Sequence, residues 1–349
     1  MRALVTGATG HIGGAVVRAA MRAGMETIAF ARPEADRRSL SGLDVEVRTG
    51  DILDVASLKR ACDGVDVLFH VAAPHRQFAV DPSDITRPAV EGTKNAIAAA
   101  RAARVRRMVY TSTGATVGFT ADPKRPLTED DFLEKAAAPY AAGKIEAERA
   151  ALEAAGRGDL EVVVVNPSAT FGPRDHRITP ATRAIIGLLQ GDPAFLHLCM
   201  SDVRDVGAAH VLAAQKGKSG RRYLLVGEPR SPAEVSATLK KLAGIKPPTF
   251  SPPRFVLRFL AGRMEKKAAA TGDDAPLTRA IIEDNFGRHL VYDGTRARTE
   301  LGATFRPAED VLRDSIRWLL FIGALKPRVA AKVKRVMGAA AEPDADWTN

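Results

Sequence analysis

The sequence predicts an α/β protein with a doubly wound parallel sheet and a smaller lobe formed by the C-terminal part of the chain. Nearly all-apolar runs alternate with helical stretches through the first half, which is typical of strands that helices cover on both faces. A glycine-rich turn directly follows the first run, as it does where the first strand of such a sheet meets its first helix. Strands are predicted at RALVTG, ETIAFAR, VEVRTGD, DVLFHVAA, RRMVYTST, EVVVVNPS and RRYLLVG. Helices are predicted between successive strands at GGAVVRAAMRAG, VASLKRACDG, EGTKNAIAAARAA and KIEAERAALEAAG.

The alternation weakens after the sixth predicted strand, where prolines and glycines become frequent. We predict a sheet domain over residues 1–175, to which residues 203–228 return. Residues 176–202 and 229–325 are predicted to form a substrate-binding lobe over the open edge of the sheet, where ligands bind in doubly wound folds. Residues 326–349 are expected to form a basic helix and a frayed tail.

The composition argues against several classes of protein. The chain of 349 residues has a net charge of +10, but its arginines are scattered and only KPRVAAKVKR is densely basic. Because no binding motif accompanies this charge, we expect no nucleic-acid partner. Cys62 and Cys199 are the only cysteines, which excludes a disulfide framework and a multi-cysteine metal site. We expect no metal, since His176 and His197 lack partners at ligand spacing, and a cytoplasmic location, since no signal peptide precedes the first strand.

The glycine-rich turn predicts a dinucleotide-binding site. The stretch VTGATGHIGG places Gly7, Gly10 and Gly13 between a strand and a helix. Gly7 allows the tight turn, Gly10 admits a pyrophosphate close to the backbone, and Gly13 lets the helix and the strand pack closely. The N-terminus of the helix then faces the phosphates. We expect the cofactor also to contact the intervening residues of this turn, Thr9, His11 and Ile12.

The ends of the next three strands indicate which dinucleotide binds. Arg32 follows the position where an NAD-preferring site usually has an acidic residue, and a guanidinium group suits a 2′-phosphate. We therefore predict NADP(H), with NAD(H) as the alternative. Asp51 is expected to accept a hydrogen bond from the adenine amino group, with Ile52 beside the ring. Small residues after the fourth strand are expected to let the ribose lie against the backbone at Val71, Ala72 and Ala73.

The pentapeptide YAAGK predicts acid–base chemistry. Tyr140 and Lys144 are four residues apart in a predicted helix and therefore lie on one face. A tyrosine with a pKa of about 10 is a poor proton carrier at neutral pH, but a neighbouring ammonium group stabilises the phenolate and lowers that pKa. Tyr140 would then protonate a carbonyl oxygen in reduction or take a hydroxyl proton in oxidation. At the end of the fifth strand, YTST offers Ser112 and Thr113 as hydroxyl groups that hold the substrate oxygen.

Taken together, TGATGHIG, DILD, YTST and YAAGK resemble the motifs of the extended short-chain dehydrogenase/reductase family, in the family's order and spacing. The resemblance implies a Rossmann-type doubly wound fold, an NAD(P) cofactor and a catalytic set of Thr113, Tyr140 and Lys144. The stretch NPSATFGP matches the family's segment after the sixth strand. Residues implied to line the nicotinamide end of the cofactor are Thr111, Tyr140, Lys144, Pro167 and Ser168.

The resemblance leaves three functions open. TRPAVEGTKNAIAAA and DVRDVGAAHVLA are similar to the dihydroflavonol reductase and cinnamoyl-CoA reductase branch, which implies reduction of a ketone or aldehyde. NPSATFGPRD is also similar to the hopanoid-associated sugar epimerase group, so a nucleotide-sugar epimerase or dehydratase is the alternative. Against it, Ala89 stands where sugar epimerases more often have asparagine. A catalytically inactive dinucleotide sensor is the third function, and it commonly lacks the Tyr–Lys pair.

Substrate and partners are predicted from the remaining features. Candidate substrate contacts are His75, Ser112, Phe119 and Phe171. Few aromatic and many aliphatic residues predict a small, hydrophobic substrate, and a homodimer is left open. PPRFVLRFLAGRMEKK and WLLFIGALKPRVAAKVKRV combine apolar and basic residues, as segments with weak peripheral membrane contact do. In the first segment Val256, Phe259 and Leu260 are predicted to share the apolar face, and core packing is the other interpretation of both segments.

Overall fold

The computed structural model describes residues 1–74 and 76–348 of the chain. Within these residues the strands are β1 (Arg2–Thr6), β2 (Glu26–Ala31), β3 (Glu46–Thr49), β4 (Val67–His70), β5 (Arg107–Thr111), β6 (Glu161–Pro167), β7 (Ala169–Phe171), β8 (Leu198–Asp202), β9 (Arg222–Leu225) and β10 (Pro229–Arg230). The main sheet has seven strands in the order β3–β2–β1–β4–β5–β6–β9, all paired in parallel. These are the seven predicted strands, so the predicted doubly wound α/β fold is confirmed.

Helices cover both faces of this sheet. In the same described residues they are α1 (His11–Arg22), α2 (Val55–Ala61), α3 (Ser83–Ala102), α4 (Pro139–Gly156), α5 (Pro180–Gln190), α6 (Val203–Lys216), α7 (Pro232–Ala243), α8 (Arg254–Thr271), α9 (Arg279–Asn285), α10 (Ala308–Phe321), α11 (Pro327–Met337) and α12 (Ala345–Thr348). Side chains of β1 alternate between the two faces, as the pleat requires: Val5 packs in the cluster that includes α1 and α6, and Leu4 packs in the cluster of α2, α3 and α4. Each face therefore has its own buried core.

The strand order reverses beside β1. The chain builds β2 and β3 on one side of β1 and then returns to place β4, β5, β6 and β9 on the other side. In open α/β sheets the loops separate at such a reversal and leave a crevice at the carboxyl ends of the strands. The crevice here lies at the ends of β1 and β4, next to the end of β5.

Helix α3 begins earlier than the sequence indicates. The predicted start is Glu91, whereas the helix begins at Ser83, whose backbone N–H donates to the Asp81 carboxylate at 2.8 Å. Pro88 lies inside the helix and interrupts its hydrogen-bond ladder at one position. The helix continues across it because Ile85 and Ala89 are buried on either side.

The C-terminal half forms a second layer. Strands β7 and β8 pair in parallel, and β8 and β10 pair antiparallel, which gives a three-stranded sheet. Its apolar cluster also takes in side chains from α5, α7, α10 and α11, among them Ile185, Leu239, Ile316 and Val333.

Trp347 is packed in the segment for which the sequence predicts a frayed tail. Trp347 of α12 is buried, its ring centroid lies 6.3 Å from that of Trp318, and the Arg317 guanidinium lies 4.9 Å above it. The prediction was wrong because these contacts come from α10, which is distant in sequence. In the part of the chain that the structure describes, no helix is both long enough and apolar enough to cross a membrane.

Candidate active site

The glycine turn after β1 has the shape the sequence predicts. Gly7 has a φ of +67°, a left-handed conformation that favours glycine. A Cβ on Gly13 would lie 2.0 Å from the Gly7 carbonyl oxygen, so no larger residue allows α1 to approach β1 this closely. A Cβ on Gly10 would meet only the same oxygen, at 3.2 Å. The side of the turn at Gly10 is therefore open.

The N-terminus of α1 is available to an anion. Gly10 is its N-cap residue and provides no side-chain cap, and the first turn contains no acidic residue. A basic group is nearby, because Arg177 donates to the Thr9 hydroxyl at 3.2 Å. His11 lies 3.1 Å from the Pro173 carbonyl through its Nε2. The N–H groups and dipole of α1 and the Arg177 guanidinium together favour bound phosphate. The sequence interpretation did not single out Arg177, and only the basic run PRDHR hinted at it.

Arginines surround the end of β2. Arg32 is exposed, and its Nε lies 3.3 Å from Glu34 in a surface ion pair. Such a pair contributes little and is easily rearranged. Arg38 instead binds Asp36 through several hydrogen bonds, which lower the pKa of Asp36 to about 2. Of Arg32 and Arg38, Arg32 is therefore the less tightly held.

The end of β3 positions Asp51 and Ile52. The Asp51 carboxylate accepts from the Leu53 backbone N–H at 2.8 Å, which holds the turn before α2. Ile52 packs toward α3, where a Cβ on Gly92 would lie 2.6 Å from its Cδ1. Both side chains are half-buried, and their predicted contacts with adenine stay predictions.

The loop after β4 leaves the sheet beside the glycine turn. The Ala72 N–H donates to the Thr6 hydroxyl at 3.2 Å, and a Cβ on Gly7 would lie 2.8 Å from Ala72 Cα. Val71, Ala72 and Ala73 are half-buried. Thr6 also bonds His70 Nδ1 at 2.9 Å, and burial lowers the pKa of His70 to about 3, with the Lys144 charge acting in the same direction. The two loops thus form one wall of the crevice.

Tyr140 and Lys144 occupy the first turns of α4 at the end of β5. Lys144 is buried, and its Nζ donates to the Thr111 carbonyl oxygen at 2.8 Å. Tyr140 is half-buried, and a side-chain hydrogen bond joins it to Thr113. The Thr111 hydroxyl points to the other face of the sheet, where it bonds His210 Nε2 at 2.9 Å. The structure therefore brings Thr113, Tyr140 and Lys144 together, and only the backbone of Thr111 joins them.

The pKa values at this site differ from the sequence expectation. Burial raises the pKa of Tyr140 above its ordinary value, and the hydrogen bond with Thr113 opposes this only in part. Burial lowers the pKa of Lys144 to about 8, opposed by the charge of Glu148. The expected lowering of the tyrosine pKa is not produced by the protein's own residues, because burial removes the phenolate from water. At neutral pH the phenol therefore keeps its proton.

Ser112 belongs to a buried polar network. Its hydroxyl donates to the Glu148 carboxylate, which also accepts from Thr116 at 2.5 Å, from Asn166 at 3.0 Å and from Arg222 at 2.5 Å. Ser112 was expected to touch substrate, and the structure does not bring it to Tyr140 because its side chain turns inward to this charge. Glu148 was not singled out from the sequence. The signal was its spacing, four residues after Lys144 in YAAGKIEAE.

The remaining predicted contacts with substrate and cofactor lie in different environments. Phe171 is buried in the apolar cluster of the second layer, and its contact with substrate stays a prediction. Phe119 is half-buried, and its contact with substrate stays a prediction. His75 lies outside the described residues. Pro167 is buried, and the neighbouring Ser168 has a buried hydroxyl without a hydrogen-bond partner among the described residues.

A cavity of about 620 Å³ lies between α1 and α6. Its lining includes Arg18, Arg204, Trp347 and also His11, a predicted cofactor contact, whereas Tyr140 and Lys144 do not line it. It therefore lies away from the acid–base residues. Among residues 1–74 and 76–348, no group of three or more His, Cys, Asp and Glu side chains is arranged to hold a metal ion.

Comparison with known proteins identifies the family. The model of the NAD dependent epimerase/dehydratase family matches residues 3–226. The chain belongs to the NAD-dependent epimerase/dehydratase family. Within this family it is an extended short-chain dehydrogenase/reductase, as the sequence resemblance predicted.

Curated relatives of this family member include several reductases. A Synechocystis sp. protein that bears the name dihydroflavonol 4-reductase is 32% identical, over 92% of this chain and 95% of the relative. Sterol demethylase protein B of Methylococcus capsulatus is 33% identical, over 91% and 98%. A Stigmatella aurantiaca enzyme, 4-hydroxy-2-methyl-3-oxo-4-farnesyl-3,4-dihydroquinoline-1-oxide ketoreductase, is 30% identical over 91% and 96%.

Solved structures agree with the fold and include an epimerase. The structure of gox2253 superposes with a TM-score of 0.80 at 32% identity and covers 93% of this chain and 99% of that one. PA4631, a nucleoside-diphosphate-sugar epimerase from Pseudomonas aeruginosa, has a TM-score of 0.74 at 26% identity over 93% and 99%.

The residues of this family member fit a dinucleotide. The open glycine turn and uncapped N-terminus of α1 suit a pyrophosphate, and the unpartnered Ser168 hydroxyl lies in the segment implied to face the nicotinamide. Residues that could hold the two ends of NAD(P) are Thr9, Gly10, Arg177, Lys144 and Ser168.

Proposed function

We propose that the protein is an NADP(H)-dependent reductase of a ketone or aldehyde on a small hydrophobic molecule. The observation that carries the proposal is the arrangement of Tyr140, Thr113 and Lys144 at the crevice, with a phenol that is protonated at neutral pH. A protonated phenol is the form needed for reduction, in which the carbonyl oxygen must gain a proton.

Each of these three residues has a separate role in the reduction. When bound, the nicotinamide supplies the hydride, which adds to the carbonyl carbon. Tyr140 donates its phenolic proton to the carbonyl oxygen, so the carbonyl becomes an alcohol and Tyr140 becomes a phenolate. Thr113 holds that oxygen by hydrogen bonding, and the Lys144 ammonium stabilises the phenolate until a proton from solvent restores it. Oxidation of the alcohol is the same sequence in reverse.

The preference for NADP(H) rests on Arg32. Its guanidinium is exposed at the end of β2, and it gives up only a weak surface pair with Glu34 to bind a 2′-phosphate. Arg177 beside the glycine turn adds positive charge for the pyrophosphate.

A hydrophobic carbonyl substrate is supported by the relatives. The Stigmatella ketoreductase acts on a farnesyl-bearing quinoline, and the Methylococcus protein is named for sterol demethylation. Both match more than nine-tenths of this chain, including its second layer. We extend this substrate class, an apolar carbonyl compound, to the present protein.

The alternative is a nucleotide-sugar epimerase, favoured by the likeness to PA4631. One experiment separates the two. The protein is incubated with NADPH and a panel of steroid-like, isoprenoid and aromatic ketones, and separately with nucleotide sugars, while NADPH absorbance and products are followed. We expect NADPH to be consumed in a one-to-one ratio with a ketone. Conversion of a nucleotide sugar without net NADPH consumption would establish the alternative and overturn the proposal.

A further inference from the structure

Helix α8 exposes an aromatic face to solvent. Phe255 is 74% exposed and Phe259 is 65% exposed, and they lie one turn apart. The opposite face is the packed one, where Leu257 and Ala261 contact Ile282 of α9. The sequence predicted an apolar face of Val256, Phe259 and Leu260, but Val256 is half-buried and Phe255 takes its place. We call the outward side of α8, with Phe255 and Phe259 at its centre, the α8 surface.

Two further exposed aromatic side chains precede α8 in the sequence or contact it. Phe250, in the segment before α8, is 57% exposed, and Phe286, after α9, is 40% exposed. The Arg254 guanidinium lies 5.8 Å from the Phe286 ring centroid, which links α8 to that neighbour. Single exposed apolar residues are ordinary on a protein surface, whereas a group of large ones marks an interaction site.

Basic side chains surround these aromatic residues. Helix α8 carries five basic residues and one acidic residue: Arg254, Arg258, Arg263, Lys266, Lys267 and Glu265. Glu265 is paired with Arg279 at 2.7 Å, and Glu283 is shared by Arg254 and Arg258. Among the described residues, Arg263, Lys266 and Lys267 have no carboxylate partner. The α8 surface therefore has an excess of positive charge.

The α8 surface is connected to the rim of the candidate active site. Asp274, just after α8, accepts from the backbone N–H groups of Gln77 and Phe78 at 2.9 Å each, in the loop that follows β4. Asp284 of α9 accepts from the backbone of Ala137 and Ala138 at 2.9 and 2.8 Å, immediately before the helix of Tyr140. The α8–α9 pair thus holds both loops at the entrance of the crevice.

We propose that the α8 surface docks on an anionic lipid bilayer, with Phe255 and Phe259 in the interface and the basic side chains among the lipid headgroups. The carbonyl substrate would then be a lipid-phase compound that enters the site from that bilayer, a part of the inference that rests on the proposed function. Exposed aromatic rings with flanking Lys and Arg are the composition that binds anionic interfaces. A second copy of this surface would instead bring like charges together.

The basic helix α11 is a weaker candidate for the same contact. Much of its apolar side is covered, because Val333 is buried in the core of the second layer, and Val336, at 43%, is less exposed than Phe255 or Phe259. Lys334 and Arg335 are exposed on the remaining side, without aromatic neighbours on that helix. This helix therefore provides a control with matched charge.

The test measures co-sedimentation of the full chain with vesicles of phosphatidylcholine, with and without phosphatidylglycerol, at low and high salt. We expect binding only to the anionic vesicles and weaker binding at high salt. The double variants Phe255→Ser/Phe259→Ser and Lys266→Glu/Lys267→Glu should each lower the vesicle partition coefficient about tenfold or more. The control Lys334→Glu/Arg335→Glu, with the same change in charge, should stay within about twofold of the wild type.

Three outcomes of the co-sedimentation would overturn the inference. They are no binding of the wild type to anionic vesicles at low salt, unchanged binding of both α8 variants, and an equal loss in the α11 control. Light scattering without vesicles measures whether the protein forms an oligomer. If the α8 variants dissociate an oligomer that the wild type forms, the α8 surface binds a second copy and the membrane proposal is wrong.

Failure of this inference is distinguishable from failure of the proposed function. Vesicle binding is measured without turnover, and reduction of a water-soluble ketone is measured without vesicles. The α8 variants should retain that activity, which also shows that they are folded. If the wild type does not bind vesicles but still reduces the ketone, only the docking inference is wrong. If it binds vesicles but shows no NADPH-dependent reduction, only the proposed function is wrong.

Discussion

Arg222 of β9 and Glu148 of α4 form an ion pair inside the protein, with the arginine Nε 2.5 Å from the carboxylate. Arg222 is 7% exposed and Glu148 is wholly buried. Arg222 also donates to the carbonyl oxygens of Glu129 and Asp131, at 2.7 Å each. The pair fixes α4 to the edge of the main sheet, and α4 carries Tyr140 and Lys144. Glu148 therefore acts on the candidate site by positioning this helix and by its charge near Lys144.

Glu148→Gln should reveal both effects. Because the charge of Glu148 opposes the lowering of the Lys144 pKa, its removal should shift the alkaline limb of the reduction rate to lower pH. Loss of a charge from the buried pair should also lower the free energy of unfolding by about 3 kcal/mol. Urea unfolding and a pH–rate profile measure the two. Glu146→Gln, at an exposed position of the same helix, is the control, and an unshifted profile would limit Glu148 to a structural role.

Tyr140→Phe should remove the proton donor and leave the fold in place, since the phenyl ring keeps the same packing. We expect kcat for ketone reduction to fall by about 10²–10⁴. The Kd for NADPH, measured by calorimetry, should change by less than about threefold, because Tyr140 is assigned mainly to the substrate oxygen. Wild-type turnover in this variant would show the mechanism to be wrong.

The rate of reduction should fall as pH rises through about 8. The Lys144 pKa is lowered to about 8 by burial, so its ammonium is present below that pH and is lost above it. Without that charge the phenolate left by proton transfer is not stabilised. Stopped-flow or steady-state rates from neutral to alkaline pH measure this limb. Any residual activity of the Lys144→Arg variant should not show this fall at alkaline pH, since a guanidinium does not titrate in this range.

Arg32→Ala should erase most of the cofactor preference. We expect the wild type to bind NADPH about tenfold or more tightly than NADH, which corresponds to about 1.4 kcal/mol. The control is Arg38→Ala, because Arg38 is held by Asp36 and should contribute less. Calorimetry with both cofactors measures the difference, and equal affinities in the wild type would contradict the assignment.

Thr113→Val should affect catalysis, whereas Ser112→Ala should affect stability. Thr113 bonds Tyr140, so its loss should lower kcat with little effect on stability. Ser112 donates to a buried carboxylate, so its loss should lower the free energy of unfolding by about 1.5–3 kcal/mol. Kinetics and urea unfolding of both variants distinguish them. The same catalytic loss in both would mean that Ser112 also reaches the substrate.

Local spacing was enough to predict much of this protein. The seven strands, the turn at Gly7 and the adjacency of Tyr140 and Lys144 on one helix all depend on residues that are close in sequence. Short-range patterns carry this information because strand pleat, helical repeat and turn conformation are properties of a few successive residues. The family followed from the order of those motifs.

Tertiary structure alone decided which neighbours face the site. Ser112 and Thr113 are adjacent, yet Ser112 turns to Glu148, whose position depends on Arg222, more than a hundred residues away from the serine. Phe171 is buried and Phe255 is exposed because helices distant in sequence cover the one and leave the other uncovered. The burial that raises the Tyr140 pKa has the same origin, since it removes the phenol from water through packing that no local pattern records.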